Sequence, residues 1–226
     1  MWLVELYRGD NMKINDVDLI WLGHASFLIK WNGKNIYIDP YKIKRDEKAD
    51  YIFITHEHFD HCSIEDIEKI VKPETKVILP SDCMSKVRRF DVDMIVVQPN
   101  KEYNVDDIKV LTVPAYNTDK DFHPKDNEWV GYVIDLNGTR IYHAGDTDVI
   151  HEMAQLNGKV DVALLPVGGT YTMNADDASY AVKLIKPKIV VPMHYGTIVG
   201  SIKDAERLKE LLKDENVQVL ILNKNE

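Results

Sequence analysis

Apolar residues along the first half of the chain fall into short runs broken by turn residues, the spacing of strands rather than helices. "DLIWLG" and "SFLIKW" are two such runs. Asn32-Gly33 follows as a hairpin turn, and "NIYIDP" is the next strand. "DYIFITH" is a further run, rich in Ile, Phe and Tyr, that reads as a buried strand. The pattern then changes period. In "SIEDIEKIVKP" the apolar positions Ile64, Ile67, Ile70 and Val71 share one helical face, Ser63 is placed to cap it with Asp66 in the first turn, and Pro73 stops it. Strands are predicted again at "KVILP", "MIVVQP" and "IKVLTVPAY".

The second half repeats the theme. "WVGYVIDLNGTRIYHAGD" predicts a hairpin about Asn137-Gly138, and "VDVALLPVGG" and "KIVVPMHYG" predict apolar strands ending in polar or glycine-rich loops. Between these lies an amphipathic helix, "NADDASYAVKLIKP", ended by Pro187. "SIKDAERLKELLKDE" is the last helix and "VQVLILN" the last strand. Periodicity by itself gives an α/β protein with mixed sheet. A length of 226 residues fits one domain over 1–226 with an internal two-fold plan. Residues 1–12 read as a short N-terminal extension, because Met12 begins a more usual opening, "MKINDVDLIWLGH".

Bulk properties narrow the function. No apolar run approaches the roughly 18 residues that cross a bilayer, and the opening "MWLVELYRGD" does not resemble a signal peptide. A cytoplasmic protein is expected. Two cysteines, Cys62 and Cys83, make no disulfide framework. The formal net charge of -9 and the lack of a basic stripe weigh against a nucleic-acid partner. An acidic surface with scattered aromatics permits a homo-oligomer. No P-loop, dinucleotide fingerprint or G-x-S-x-G elbow is present.

Candidate chemistry lies in "ITHEHFDHCS", where His56, His58, Asp60 and His61 occupy one short segment after a strand. Imidazole and carboxylate suit zinc, and also iron or manganese. Seven of the eight histidines sit at predicted strand ends or in the loops between them, with His151 the exception. Asp146 lies just past the strand "TRIYH", His194 just past "KIVV", and His123 in the loop before "WVGYVI". Blander roles stand beside these: a helix N-cap for Asp146, a satisfied core histidine for His194, an ordinary loop residue for His123. His24 and His143 are open between supporting a ligand, touching substrate and simple burial. Cys62 reads as a small packing hydrophobe.

"THEHFDH" matches the H-x-H-x-D-H signature of the metallo-β-lactamase superfamily, and "HAGDT" and "PMHYGT" resemble its later motifs in order. "WLGHASFLI", "IYIDP" and "LPVGGTYTMNADDA" resemble its lactonase-like branch of metal-dependent hydrolases, which includes L-ascorbate-6-phosphate lactonase. The resemblance implies a four-layer α/β/β/α sandwich with two mixed sheets face to face. It also implies two divalent ions, zinc ahead of manganese or iron. His56 and His58 would serve the first ion, Asp60 and His61 the second, Asp146 would bridge, and His194 would complete the second site. Asp60 and His194 would also act in catalysis. Asn117 stands where related enzymes often carry a histidine, and His123 is expected to take that role by loop placement. The implied activity is hydrolysis of a small ester, lactone or phosphate-bearing substrate by a metal-bridged hydroxide. The alternatives are a metal-dependent nuclease or phosphodiesterase, a di-iron redox protein, and a non-catalytic metal-binding scaffold.

Overall fold

A computed structural model describes residues 4–7, 9 and 11–224. It divides into two compact units, one built on residues up to Val97 with the C-terminal residues from Leu222, the other on Gln98–Ile221. The first unit holds an eight-stranded sheet whose strands lie side by side in chain order. These are β1 (Val4–Tyr7), β2 (Asn11–Ile14), β3 (Val17–Gly23), β4 (Ser26–Trp31), β5 (Lys34–Ile38), β6 (Tyr51–Phe53), β7 (Lys76–Leu79) and β8 (Asp93–Val96). Strands β1 to β5 pair antiparallel, and β5 to β8 pair parallel.

The second unit has the same plan. Its seven strands are β9 (Glu102–Val105), β10 (Ile108–Pro114), β11 (Val130–Leu136), β12 (Thr139–His143), β13 (Val162–Pro166), β14 (Ile189–Met193) and β15 (Gln218–Val219), again in chain order. Strands β9 to β12 are antiparallel and β12 to β15 parallel. The two-fold plan expected from the sequence is therefore a repeated topology: hairpins first, crossovers second.

The turn chemistry explains the hairpins. Asn32 and Gly33 have φ of 49° and 72°, and Asn137 and Gly138 have 52° and 92°. Asparagine and glycine tolerate this left-handed region, and its twist matches that of the strands it joins. The crossovers are helical. Helix α1 (Ile64–Ile70) is capped by Ser63, whose side chain accepts from Asp66 N, and it buries Ile67 and Ile70 in a cluster with Tyr37, Ile52, Val77 and Leu79. A short helix α2 (Met84–Val87) follows β7. Helix α3 (Ala175–Ile185) has a reciprocal capping box between Asn174 and Asp177 and buries Ala178, Ala181, Val182 and Ile185. Helix α4 (Ile202–Leu211) is capped the same way by Ser201 and Asp204.

The differences from expectation are local. The final strand shrinks from seven residues to Gln218–Val219, which pair with Ile189 and Val190 of β14, and the ladder ends with the Leu220 amide donating to the Val190 carbonyl at 3.0 Å. "DYIFITH" is strand only over Tyr51–Phe53, and the chain leaves the ladder before its histidine. Part of the expected 1–12 extension lies outside the described residues; within it, Val4–Tyr7 pairs with Asn11–Ile14. No helix among the described residues is long and apolar enough to cross a membrane.

One polar staple ties the crossover of the first sheet. Asp50 accepts from the Asn35 amide at 2.9 Å and from Lys72 Nζ at 2.8 Å. Burial is the strongest single influence on its carboxyl and pushes it up, but the Lys72 and Asn35 bonds and the charges of Lys72 and Lys34 together outweigh it, so the group is held below its ordinary value. A depressed folded pKa gives stability that is complete above the unfolded value, about 4, and is lost as pH falls through the folded value. Asp50→Asn is therefore expected to melt lower than wild type at neutral pH, by about 1 kcal/mol or roughly 2–4 °C. The gap should narrow as pH falls from neutral through the folded value of Asp50. Melting curves at neutral and acid pH check this; an unchanged gap in acid removes the assignment.

Candidate metal centre

In each unit the candidate ligands leave one edge of the sheet. Strands β3, β5 and β6 run in the same direction, and their C-terminal ends carry His24, Asp39 and the segment from Thr55 to His61. Loops that follow the carboxyl ends of strands are where open α/β sheets bind their ligands. A rigid ladder ends there and leaves the next side chains unpaired with neighbouring strands.

In the first unit these side chains form a hydrogen-bonded network around Asp39 and, beside it, a pair of Asp60 and His24. Asp39 is fully buried. It accepts from the Thr55 amide at 2.8 Å, the Thr55 hydroxyl at 2.6 Å and His61 Nδ1 at 2.7 Å. The single Thr55 proton is used on Asp39, so Thr55 Oγ1 must accept from His56 Nδ1, 2.9 Å away. This network assigns both tautomers: His56 and His61 carry their proton on Nδ1 and present a lone pair at Nε2. His56 Nε2 faces His58 Nδ1 at 3.1 Å, and His61 Nε2 faces Asp60 Oδ2 at 3.6 Å. His24 Nε2 reaches the same Asp60 oxygen at 2.9 Å. One ligand atom each from His24, Asp60 and His61 lies within 4.8 Å of the others.

The second unit repeats this arrangement at the C-terminal ends of β10, β12, β13 and β14. Asp146 follows β12, and its Oδ2 lies 3.3 Å from His123 Nε2 and 3.0 Å from His194 Nε2. His123 is held by Asn117, whose Oδ1 lies 3.0 Å from the His123 amide and 3.0 Å from its Nδ1. Gly168, beyond β13, has no room for a side chain: a Cβ there would meet the His194 carbonyl oxygen at 2.4 Å. Its bare backbone lets the His194 turn approach. His24, Asp39 and His194 all have left-handed backbones, with φ of 53°, 45° and 59°. Each costs of order 1–2 kcal/mol, offset by the buried contacts these residues make.

The donor set fits a cation. His61 and His123, whose Nδ1 protons are engaged by Asp39 and Asn117, direct Nε2 lone pairs at carboxylate oxygens 3.6 and 3.3 Å away. Such an oxygen and such a lone pair repel unless a positive charge lies near both. Metal-binding histidines are held in the same way, by a carboxylate or carbonyl on the other ring nitrogen. The structure brings His56, His58, Asp60 and His61 together in one unit and His123, Asp146 and His194 together in the other. Within the second unit, His143 instead accepts from the Gly145 amide at 3.1 Å.

The sequence model of the beta-lactamase superfamily domain matches residues 18–194. The chain belongs to the beta-lactamase superfamily. A UPF0173 metal-dependent hydrolase of Thermococcus kodakarensis is 37% identical over 222 residues, covering 93% of this chain and 98% of its own. Among solved structures, one described as a metal-dependent hydrolase, from Parabacteroides distasonis, shares 32% identity with a TM-score of 0.84 over 96% of this chain and 100% of its own. Igni18, a metallo hydrolase of Ignicoccus hospitalis, shares 28% identity with a TM-score of 0.77, covering 93% and 96%. The two mixed sheets with flanking helices are those of the superfamily's fold, as the motif order implied.

Sequence reasoning assigned no role to Asp39 or Thr55 in this beta-lactamase superfamily chain and left His24 open. Their signal is present but diffuse: Asp39 ends a strand that runs parallel to the one leading into the histidines, with Ile38 beside Phe53. Register of that kind places the acidic side chain next to Thr55 and His61. His24 was one more histidine at a strand end, and only its contact with Asp60 across 36 residues gives it a task.

Proposed function

We propose that this chain is a metal-dependent hydrolase of a small ester, lactone or phosphate-bearing molecule. The observation that carries it is the recurrence, in both units, of buried imidazoles with one nitrogen fixed by hydrogen bonding and the other turned to a carboxylate. The hydrolase names of relatives at 37% identity and of neighbours at 28–32% support the same reading.

In this proposal His56, His58, Asp60, His61, His123, Asp146 and His194 hold two divalent ions, zinc ahead of manganese or iron. Such ions supply Lewis acidity, which makes water acidic enough to attack near neutral pH and draws charge from the bond being broken. The rest is the work of side chains. Asp39 and Thr55 lock the rings of His56 and His61, so the donor atoms need no reorganisation. Asp60 Oδ2, beside His24 Nε2 at 2.9 Å, is placed to orient the attacking water and take up its proton. His194, against Asp146 at 3.0 Å, is the second residue assigned to catalysis, through the ion it would help to hold.

Metal analysis of protein purified without added metal tests this first. About two zinc or manganese ions per chain, with turnover on a panel of esters, lactones and phosphate esters, is the expected result. Metal without turnover on any of them defeats the hydrolase reading, and two irons with a visible absorption band would favour redox chemistry instead.

A further inference from the structure

Asn117 makes four hydrogen bonds, and together they decide which way its carboxamide faces. Its Nδ2 donates to the Tyr171 carbonyl at 3.0 Å, and its Oδ1 accepts from the His123 amide at 3.0 Å. Its own amide donates to the His123 carbonyl at 2.8 Å. The reversed amide would set donor against donor at His123 and acceptor against acceptor at Tyr171, so the orientation is unique. With Oδ1 fixed as an acceptor, its contact with His123 Nδ1 at 3.0 Å requires the proton on Nδ1. His123 Nε2, which faces Asp146 Oδ2 at 3.3 Å, is then the lone-pair nitrogen.

The same residue holds a second segment. Tyr171 belongs to the loop between β13 and α3, and Phe122, next to His123, lies edge-on to the Tyr171 ring at 4.7 Å. The chain from Asn117 to His123 and the Tyr171 loop are thus joined twice, once through a buried amide and once through two rings. Asn117 is 8% exposed and His123 1%, so water competes little for these bonds.

We propose that Asn117 is a positioning residue: it sets His123 as an Nε2 metal ligand and ties that ligand to the Tyr171 loop. The proposal rests on the ligand role assigned to His123 above. An Asn side chain suits it because one group supplies both an acceptor for His123 and a donor for the loop; an ionised carboxylate offers no donor.

Zinc affinity by competition with a chromophoric chelator, and long-range 1H–15N spectra of the histidine rings, are the test. In zinc-loaded wild type the His123 ring should show the Nδ1–H tautomer. Asn117→Ala should weaken zinc binding about 10- to 100-fold, the range for lost partners of metal ligands, and should alter the His123 ring signals. Asn117→Asp keeps an acceptor for His123 but sets an oxygen against the Tyr171 carbonyl. It should hold zinc near the wild-type level while amide exchange speeds up in the loop around Tyr171. If the alanine variant does not fold, Asn117→Leu, similar in size and without an acceptor, replaces it. Wild-type zinc affinity together with unchanged His123 ring signals in the alanine or leucine variant overturns the proposal. His123→Ala separates the two readings: undiminished zinc there removes the ligand role on which the proposal stands, whereas lost zinc there with none lost in Asn117→Ala removes the positioning role alone.

Discussion

Asp146→Ala is expected to leave the protein folded and unable to take up zinc. The carboxylate is 4% exposed and faces two imidazole nitrogens, His123 Nε2 and His194 Nε2, at 3.3 and 3.0 Å. Without it both histidines remain but lose the carboxylate they share. One of the two carboxylates that would offset the charge of the cations is gone, and with it one donor beside both rings. Thermal melts with and without zinc report the result. A ligand at 100 times its dissociation constant adds about 2.7 kcal/mol to stability, so wild type should melt several degrees higher with zinc. The variant should melt at the same temperature either way. Asp146→Asn, which keeps shape and one acceptor but drops the charge, should fall between. A zinc-dependent rise in the alanine variant equal to that of wild type would falsify the ligand role of Asp146.

The second large effect falls on folding. Asp39→Ala removes the acceptor of three buried donors at once: Thr55 N, Thr55 Oγ1 and His61 Nδ1. Each donor left without a partner costs about 1–3 kcal/mol, and breaking one side of a buried charged network costs about 3–5 kcal/mol in all. At roughly 2–4 °C per kcal/mol the melting temperature should drop by about 10 °C or more. Alanine also takes the left-handed backbone of Asp39 poorly, which adds of order 1 kcal/mol. Asp39→Asn tolerates that backbone and so isolates the hydrogen bonds; it should lose less, and its zinc affinity should still fall about 10- to 100-fold, because one amide oxygen replaces the two carboxylate oxygens that accept from Thr55 and His61. Urea denaturation of both variants checks the stability. A loss under about 1 kcal/mol in the alanine variant would mean that Asp39 does not organise the buried network.

Much of the architecture was legible along the chain. Both Asn-Gly hairpins, the two long helices and most strands could be placed, because turn residues and apolar period are local properties. The weak points were short edge elements. Strand β9, Glu102–Val105, has only Val105 buried and so carries almost no alternation to read. The terminal run "VQVLILN" is mostly apolar, yet only Gln218 and Val219 are strand, since pairing depends on a neighbour rather than on the run itself.

The candidate ligands were legible for a different reason. Histidines that follow strands stand out as types, and the segment from His56 to His61 concentrates them. By itself the sequence determined which residues can donate to a metal and on which strand ends they sit. Tertiary structure decided how each is held. His61 meets Asp39 across 22 residues and His24 meets Asp60 across 36, through strand register that a two-residue period leaves unspecified. The tautomers of His56, His61 and His123 follow from the hydrogen bonds to Thr55, Asp39 and Asn117. A proton's place on an imidazole is set by what faces the ring, and that is fixed only when the chain has folded.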